Sequence, residues 1–494
     1  MTVAKGREFL SIPGPTNVPD AVLAAMHRPA IDIYSGELVG ITDNCLADLK
    51  ALFKTKGRAY IYAANGHGGW EAALTNVLSR GDTVLVLESG RFAQGWGEMA
   101  RMMGVEVEVL EGDWRRAVDP AAVEERLKRD TGHTIKALLA VQIDTASGVV
   151  NDIAAIRKAM DRAKHPALLL VDCVASLGCM PFDMDGWGVD VAMSGSQKGL
   201  MTPPGLAFVA ANDRARTVHK TADLRTLYWD WTFREGEIHY QKYCGTPPEH
   251  LLFGLRKAID MLKEEGLDNA IRRHALLAEA TRAAVSKWAE GQELALNIAN
   301  PAERANSITC ILMQGRDPQP LLDYTRDKCG VVLGVGLGEL DGKAFRIAHM
   351  GHCNAPMVLG TLGAVEMGLK ALGIPHGSGG VQAAVAKWAE GQVIALNIAN
   401  PAERSNSITC VLMQGRDPQP LLDYTRDKCG VILGVGLGEI GDTAFRIAHM
   451  GHCNAPMVLG TLGAVEMALK ALAIPHGSGG VQAAVEYLGR EVGA

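Results

Sequence analysis

Short, uninterrupted runs of apolar residues mark the first half of the chain. Three of them lie at 83–87, 137–141 and 167–171, each bounded by polar residues or glycine. Runs of five residues are too short for helices and are typical of strands buried on both faces, as in a parallel sheet. Helical periodicity lies between them, over 120–129 and 153–163. The pattern predicts an α/β fold of repeated β–α units, which bind ligands at the carboxyl ends of their strands.

The pattern changes after about residue 255. Two long amphipathic helices are predicted over 255–265 and 267–291. They lead into a smaller α+β segment with strands near 307–313 and 345–350 and a helix near 356–372. Because helices and strands no longer alternate regularly, we expect a second, smaller domain here.

The chain then repeats itself. Residues 286–385 and 386–485 align without a gap and differ at 12 positions. A unit of this length, present twice, is a whole small domain and not a solenoid repeat. The leading helix of the second unit should be short, because proline and glycines fill 375–380. The predicted units are an N-terminal arm at 1–20, a large domain at 21–255, a small domain at 256–385, and its duplicate with a tail at 386–494.

Two interpretations of the repeat stay open. A recent duplication, or an error of sequence assembly, would leave a spare domain, and the sequence favours this interpretation. The alternative is a regulatory or assembly module. We expect the first copy to complete any active site, because the full-length leading helix joins it to the large domain.

Composition excludes several classes of function. The net charge of -6 and the pI near 6.2 argue against a nucleic-acid surface. No run of 18 apolar residues and no signal-peptide pattern is present, so we expect a soluble, cytoplasmic protein without a membrane partner. The ten cysteines include no CxxC pair, which predicts reduced thiols and gives no metal-binding pattern.

A lysine and an aspartate carry the first chemical signal. Asp172 closes the apolar run at 167–171, and Lys198 follows 26 residues later among small residues. An enzyme holds pyridoxal phosphate with such a pair, because a lysine amine forms the Schiff base and a buried carboxylate keeps the pyridinium nitrogen protonated. Each residue alone has an ordinary structural explanation, as a surface lysine and as a strand-end cap.

Three further features fit the same site. Residues 65–69, Asn-Gly-His-Gly-Gly, precede a predicted helix, and a glycine-rich turn into a helix N-terminus can bind phosphate. Phe92 follows the strand at 83–87 and could stack on a ring, although a core position explains it equally well. Arg346 lies within an apolar strand and needs an anionic partner, either a substrate carboxylate or an internal carboxylate.

Four motifs together resemble the class V aminotransferases of the fold-type I pyridoxal-phosphate family, nearest to the serine–glyoxylate and alanine–glyoxylate members. These motifs are Pro-Gly-Pro-Thr at 13–16, Val-Asp-Cys-Val-Ala-Ser at 171–176, Gly-Ser-Gln-Lys-Gly at 195–199 and Gly-Lys-Ala-Phe-Arg-Ile at 342–347. The likeness covers residue 8 to about 385, with a matching tail at 477–494. It implies a large domain with a mostly parallel sheet and a small α+β domain, here present twice.

The resemblance implies a role for each matching residue. Lys198 would be the Schiff-base lysine and Asp172 the pyridinium partner. The other cofactor-binding residues would be Asn65, Gly66, His67, Phe92, Thr145, Val174 and Gln197, with Tyr243 and Thr246 reaching the phosphate of the partner subunit in a homodimer. Arg346, or alternatively its duplicate Arg446, would bind the substrate carboxylate, and Tyr34 would approach the substrate.

The implied reaction transfers the amino group of a small amino acid, serine or alanine, to glyoxylate by a ping-pong mechanism, giving glycine and a 2-oxo acid. Asp32-Ile33-Tyr34-Ser35, Gln142-Ile143-Asp144 and Asn65-Gly66-His67 depart from the runs usual in glyoxylate enzymes. Pyridoxamine–pyruvate aminotransferases share Arg-Ile-x-His-Met-Gly and a tyrosine near position 34, so free pyridoxamine is an alternative donor.

Two other hypotheses compete with transamination. A cysteine desulfurase or lyase of the same fold normally stacks a histidine on the ring, where this chain offers Phe92. A non-enzymatic chain with the doubled domain as an interaction module is disfavoured by the intact set of Lys198, Asp172 and Arg346.

Overall fold

The computed structural model describes residues 3–388, 395–396, 405, 407–413, 416–474 and 476–492. The strands are β1 Phe9–Ser11, β2 Arg58–Ala64, β3 Thr83–Leu87, β4 Glu106–Leu110, β5 Ile135–Val141, β6 Ile143–Asp144, β7 Val149–Val150, β8 Leu168–Asp172, β9 Val191–Gly195, β10 Gly205–Ala211, β11 Leu294–Leu296, β12 Ile308–Met313, β13 Val331–Val335, β14 Ala344–Ala348, β15 Ala395–Leu396, β16 Ile408–Leu412, β17 Gly434–Val435 and β18 Ala444–Ala448. The helices are α1 Asp20–Met26, α2 Glu37–Phe53, α3 Gly66–Val77, α4 Arg91–Met102, α5 Pro120–Arg129, α6 Ile153–Arg162, α7 Asp213–His219, α8 Trp231–Arg234, α9 Glu249–Glu265, α10 Leu267–Trp288, α11 Gln319–Tyr324, α12 Ala355–Ala371, α13 Gly380–Trp388, α14 Gln419–Cys429, α15 Ala455–Ala471 and α16 Gly480–Val492. None of the helices in these ranges combines the length and the apolar character that a membrane span requires.

A seven-stranded sheet forms the centre of the large domain, in the order β2-β10-β9-β8-β5-β3-β4. Strands β9, β8, β5, β3 and β4 are parallel, and β10 runs antiparallel to both of its neighbours. The continuous apolar strands are buried because helices cover both faces, and each face has its own hydrophobic core. The predicted α/β class with a mostly parallel sheet is confirmed.

The strand predictions agree closely with this sheet. The run at 83–87 is β3, and the run at 137–141 lies within β5. The third strand is shifted by one residue, so that Asp172 is the last residue of β8. The acidic side chain therefore lies at the carboxyl end of a central strand.

The smaller sheet has the order β1-β13-β14-β12-β11. Its first strand comes from the N-terminal arm, since Phe9–Ser11 pairs in parallel with residues 331–333 of β13. Helices α10, α11 and α12 pack against the sheet around a core that includes Trp288, Phe345 and Leu362. This sheet brings β13 and β14 over the edge of the large sheet, where they form one wall of the site.

The duplicated sequence has its own four-stranded sheet, in the order β15-β16-β18-β17. Its register is that of the first copy, because Cys410 lies opposite Arg446 as Cys310 lies opposite Arg346. Helix α13, which crosses the repeat boundary, has 9 residues where α10 has 22. The predicted second unit also includes 389–394 and 397–404, which lie outside the described residues, and the domain limits stay a prediction.

Candidate active site

A cavity of about 480 Å³ lies where the carboxyl ends of β5, β8 and β9 meet β13 and β14 of the smaller sheet. Parallel α/β sheets bind their ligands at this edge. Ten of the residues predicted for the site line the cavity, and they are Asn65, Gly66, His67, Phe92, Thr145, Asp172, Val174, Gln197, Lys198 and Arg346. Residues from six separate segments of the chain thus line one cavity.

Lys198 lies three residues after the end of β9, in a turn that carries it into the cavity. Only 8% of the residue is exposed, and its Nζ donates a short hydrogen bond to the carbonyl oxygen of Pro13. Burial lowers the pKa of Lys198 to about 8, and the charge of Arg346 acts in the same direction. About a tenth of the amine is therefore neutral, and so nucleophilic, at pH 7, far more than for an ordinary lysine.

Asp172 ends β8 on the floor of the cavity. Its carboxylate accepts one hydrogen bond from Trp70 Nε1 at 2.7 Å and one from the backbone N–H of Val174 at 2.7 Å. Burial raises the pKa of Asp172 to about 6, although both hydrogen bonds and the charge of Lys198 favour the ionised form. A cationic ring nitrogen next to this carboxylate would offset its cost of burial.

The N-terminus of α3 lines one end of the cavity. The Asn65 side chain caps this helix by accepting from the Gly68 N–H at 3.3 Å. The N–H groups of Gly66 and His67, in the first turn, have no acceptor within the helix, and the helix dipole favours an anion there. At Gly66 a Cβ would lie 3.4 Å from Val174 Cγ2, so any larger side chain would narrow the cavity.

Trp70 is a site residue that the sequence prediction missed. Besides its hydrogen bond to Asp172, its ring packs against His67 with centroids 4.5 Å apart and against Phe92 at 6.3 Å. The sequence prediction began the helix at Trp70, whereas α3 begins at Gly66, which puts His67 and Trp70 three residues apart on one helix face. Trp70 thereby fixes the orientation of the Asp172 carboxylate.

Asp144 is a second residue to which the sequence assigned no role. It is fully buried and accepts hydrogen bonds from the backbone N–H groups of Phe92, Ala93 and Ala146 at 2.9, 3.0 and 3.0 Å. Burial raises the pKa of Asp144 to about 6. These bonds tie the first turn of α4, which carries Phe92, to the loop that carries Thr145. Asp144 therefore positions two of the predicted site residues.

Arg346 lies on β14 and reaches the cavity from the smaller sheet. Its Nε donates to the Val335 carbonyl at 2.6 Å and its Nη1 to the Thr145 carbonyl at 2.7 Å. It is 6% exposed, and among the described residues no carboxylate forms an ion pair with it. The charge of the buried Asp144 favours the cationic form of Arg346, but both printed hydrogen bonds of the guanidinium go to neutral carbonyls, which makes this position suited to a ligand carboxylate.

Four predicted residues do not line the cavity. Arg446 lies on β18 of the second copy, where its Nε donates to the Val435 carbonyl at 2.7 Å. Tyr243 is buried with its hydroxyl 2.8 Å from Thr42 Oγ1. Tyr34 and Thr246 are exposed at the surface. Within one chain the structure thus gathers the first copy's arginine into the site and leaves the duplicate outside.

The cavity has the side chains that are needed to hold the pyridoxal phosphate that the resemblance implies. The Gln197 side chain contributes a buried Oε1 that has no hydrogen-bond partner in the described part of the chain. Rotation of this carboxamide can present either an acceptor or a donor to a ligand. A reactive lysine, a carboxylate for a ring nitrogen and a helix N-terminus for a phosphate line the same cavity. The residues present fit the cofactor.

Comparison with known proteins adds independent information. Residues 9–338 match the family described as Aminotransferase class-V. A serine–glyoxylate aminotransferase of Methylorubrum extorquens is 40% identical over 371 residues, which are 74% of this chain and 91% of the relative. An L-aspartate–glyoxylate aminotransferase of Paracoccus denitrificans is 39% identical over 368 residues, 74% of this chain and 91% of the relative. The solved structure of a pyridoxamine–pyruvate aminotransferase of Mesorhizobium loti superposes with a TM-score of 0.71 at 27% identity, covering 78% of this chain and 97% of that one.

Proposed function

Because the chain belongs to the class V aminotransferase family, we propose that it transfers the amino group of a small amino acid, serine or alanine, to glyoxylate. The family implies pyridoxal phosphate as the cofactor. The observation that carries the proposal is a cavity in which Lys198, Asp172 and Arg346 meet, in a chain similar to glyoxylate aminotransferases over most of their length.

The cofactor, when bound, supplies an aldehyde that receives the amino group and a ring that withdraws electrons. Lys198 Nζ is the base that removes the Cα proton of the donor, and it returns a proton to Cα when glyoxylate becomes glycine. Arg346 binds the carboxylate shared by donor and acceptor, which fixes Cα relative to Lys198. Lys198 as the base and Arg346 as the carboxylate-binding residue can therefore serve both half-reactions of a ping-pong mechanism.

Asp172 holds a proton on the ring nitrogen, which strengthens the electron withdrawal. Trp70 and the Val174 N–H occupy carboxylate oxygens of Asp172 and so keep it in one orientation. Phe92 and Val174 line the cavity as apolar side chains and can pack against the two faces of the ring. Gly66, His67 and Gln197 would hold the phosphate at the α3 end of the cavity, and Thr145, which also lines the cavity, would bond a ring substituent.

A half-reaction screen tests the donor. Purified holoenzyme is mixed with serine, alanine, aspartate, glycine or pyridoxamine in separate assays, and the loss of the visible absorbance of the bound cofactor is followed. We expect serine or alanine to react fastest, because Arg346 binds their carboxylate and Lys198, the other strongly basic side chain described in the cavity, is needed for the cofactor and is not free to bind an acidic side chain. If neither bleaches the cofactor, or if glyoxylate fails to restore the absorbance, the proposed reaction is wrong.

Free pyridoxamine as donor is the second candidate, favoured by the likeness to the pyridoxamine–pyruvate enzyme. Pyridoxamine has no carboxylate, so its KM should be insensitive to loss of Arg346. The same screen distinguishes the two candidates, since reaction with pyridoxamine in preference to every amino acid would replace the glyoxylate assignment.

We also propose that the enzyme works as a homodimer, in which Tyr243 and Thr246 reach the phosphate of the partner subunit. The family resemblance supports this role for them, and the exposed position of Thr246 is compatible with a contact between subunits. A sedimentation mass of one chain for the holoenzyme would contradict it.

The lowered pKa of Lys198 predicts how cofactor attachment depends on pH. The neutral amine is the nucleophile, and with a pKa of about 8 its fraction rises about tenfold between pH 7 and pH 9 and then levels off. An ordinary lysine amine would instead gain about tenfold for each pH unit over this range. Apo-protein is mixed with pyridoxal phosphate, and the covalent product is trapped with borohydride at each pH. A rate that keeps rising tenfold per unit above pH 9 would contradict the lowered pKa.

A further inference from the structure

Helices α12 and α15, one from each copy of the duplicated sequence, pack directly against each other. Their residues 355–371 and 455–471 differ only at Gly368, which is Ala468 in the second copy. Glycines on both helices allow the backbones to approach closely. A Cβ at Gly360 would lie 2.3 Å from the Pro456 carbonyl oxygen.

The close glycine contacts between the two helices are reciprocal. A Cβ at Gly460 would lie 2.2 Å from the Pro356 carbonyl oxygen, which is the same contact with the copies exchanged. The next turn repeats the relation, because a Cβ at Gly363 would lie 2.7 Å from Leu459 Cδ1 and one at Gly463 would lie 2.4 Å from Leu359 Cδ1.

The reciprocity extends beyond the two helices. The Asn454 Nδ2 lies 3.2 Å from a Cβ built at Gly330, and the Asn354 Nδ2 lies 3.1 Å from one built at Gly430. Each of these two contacts becomes the other when the first and second copies are interchanged. The two copies are therefore related by a local two-fold axis that passes between α12 and α15.

Such an arrangement is isologous, as in a symmetric dimer, where one patch contacts the same patch on its partner. Leu359 and Leu459 are both fully buried in it. Since α12 and α15 have nearly the same sequence, the surface of α12 that fits α15 also fits a second α12. The fit is a property of the repeated sequence and does not require the two copies to share one chain.

We propose that the outer face of α12 is a self-association surface, and that the second copy covers it within the chain. When the second copy is displaced, the partner of this face is α12 of another chain. The duplicated domain thus acts as a built-in cap that keeps assemblies from growing through their small domains.

The full-length variant Gly460→Leu tests this proposal. Its new side chain is directed at the Pro356 carbonyl and should push α15 off α12, while the first copy and the cavity keep their native sequence. We expect α12 to lose protection from hydrogen exchange at low protein concentration and the sedimentation mass to rise above the parent's as the concentration rises. Gly477→Leu is the matched control, since nothing lies within 4 Å of a Cβ at Gly477, and it should keep the parent's mass.

A second variant identifies the surface that associates. Gly360→Leu added to Gly460→Leu alters α12 itself, so the larger assembly should return to the parent's mass. Two results would overturn the proposal: α15 stays as protected as in the parent, or α12 becomes exposed while the mass is unchanged at every concentration. If the second copy unfolds, α12 is still uncovered, so the mass measurement keeps its meaning.

Discussion

Lys198→Ala is expected to lower the rate of transamination by on the order of 10⁴-fold, because it removes the general base that moves the Cα proton. The other ionisable side chains described in the cavity are poor replacements, since Arg346 stays protonated at any working pH, Asp172 is committed to Trp70 and the Val174 N–H, and His67 lies at the α3 end, where the phosphate would bind. Single-turnover absorbance with serine or alanine as the donor measures the effect. The visible band of the covalently bound cofactor should be absent as well.

Two comparisons separate this effect from misfolding. Lys220→Ala removes an exposed lysine from the same domain and should leave the rate within a factor of about two. A small amine such as methylamine should restore part of the activity of Lys198→Ala, because truncation of the side chain leaves room for it beside Pro13. A Lys198→Ala enzyme that keeps more than a hundredth of the parent rate would exclude this lysine as the base.

Arg346→Ala and Arg446→Ala are expected to differ by on the order of 10²-fold in kcat/KM for the amino donor, because hydrogen bonds to a charged group contribute about 1.5–3 kcal/mol. Arg346 lines the cavity and Arg446 does not. The loss in Arg346→Ala should fall mainly on KM, since the carboxylate is bound in the ground state and the transition state alike. Steady-state kinetics with serine or alanine and glyoxylate measure both variants.

The duplication makes these two variants controls for each other. Each arginine stands in the pentapeptide Ala-Phe-Arg-Ile-Ala, on a strand of the same register. Any effect of the substitution on the strand itself should be similar in both. Equal losses of activity would show that the second copy also serves an active site, and a larger loss in Arg446→Ala would reverse the assignment of the copies.

Much of the large domain could be predicted from the sequence. The strands β3, β5 and β8 are short apolar runs between polar residues, and burial on both faces leaves that pattern with few alternatives. The N-terminal strand β1 was not predicted, because a three-residue strand carries too little pattern of its own. It pairs with β13, more than 300 residues away in the chain, and only the folded chain supplies this partner.

The sequence predicted the site residues that have an unusual local setting and missed those whose role depends on contacts in the folded chain. Lys198, Asp172 and Arg346 are visible in the sequence because each is a charged residue within or beside a segment of small or apolar residues, where a charge is not expected. Trp70 and Asp144 do not stand out in this way, since a tryptophan on an amphipathic helix and an aspartate after a strand are common. Their importance lies in their contacts with Asp172, Phe92 and Ala146.

The sequence by itself determined the α/β class, the family resemblance and the presence of a second, nearly identical segment, because each is written in local pattern or in residue identity. It also limited each chain to one lysine–aspartate pair, since neither residue is repeated. Which arginine joins that pair was decided by the tertiary structure. Two copies with the same local sequence have the same local preferences, and only their packing distinguishes them: α10 packs against α9 and joins the first copy to the large domain, while the second copy packs through α15 against α12.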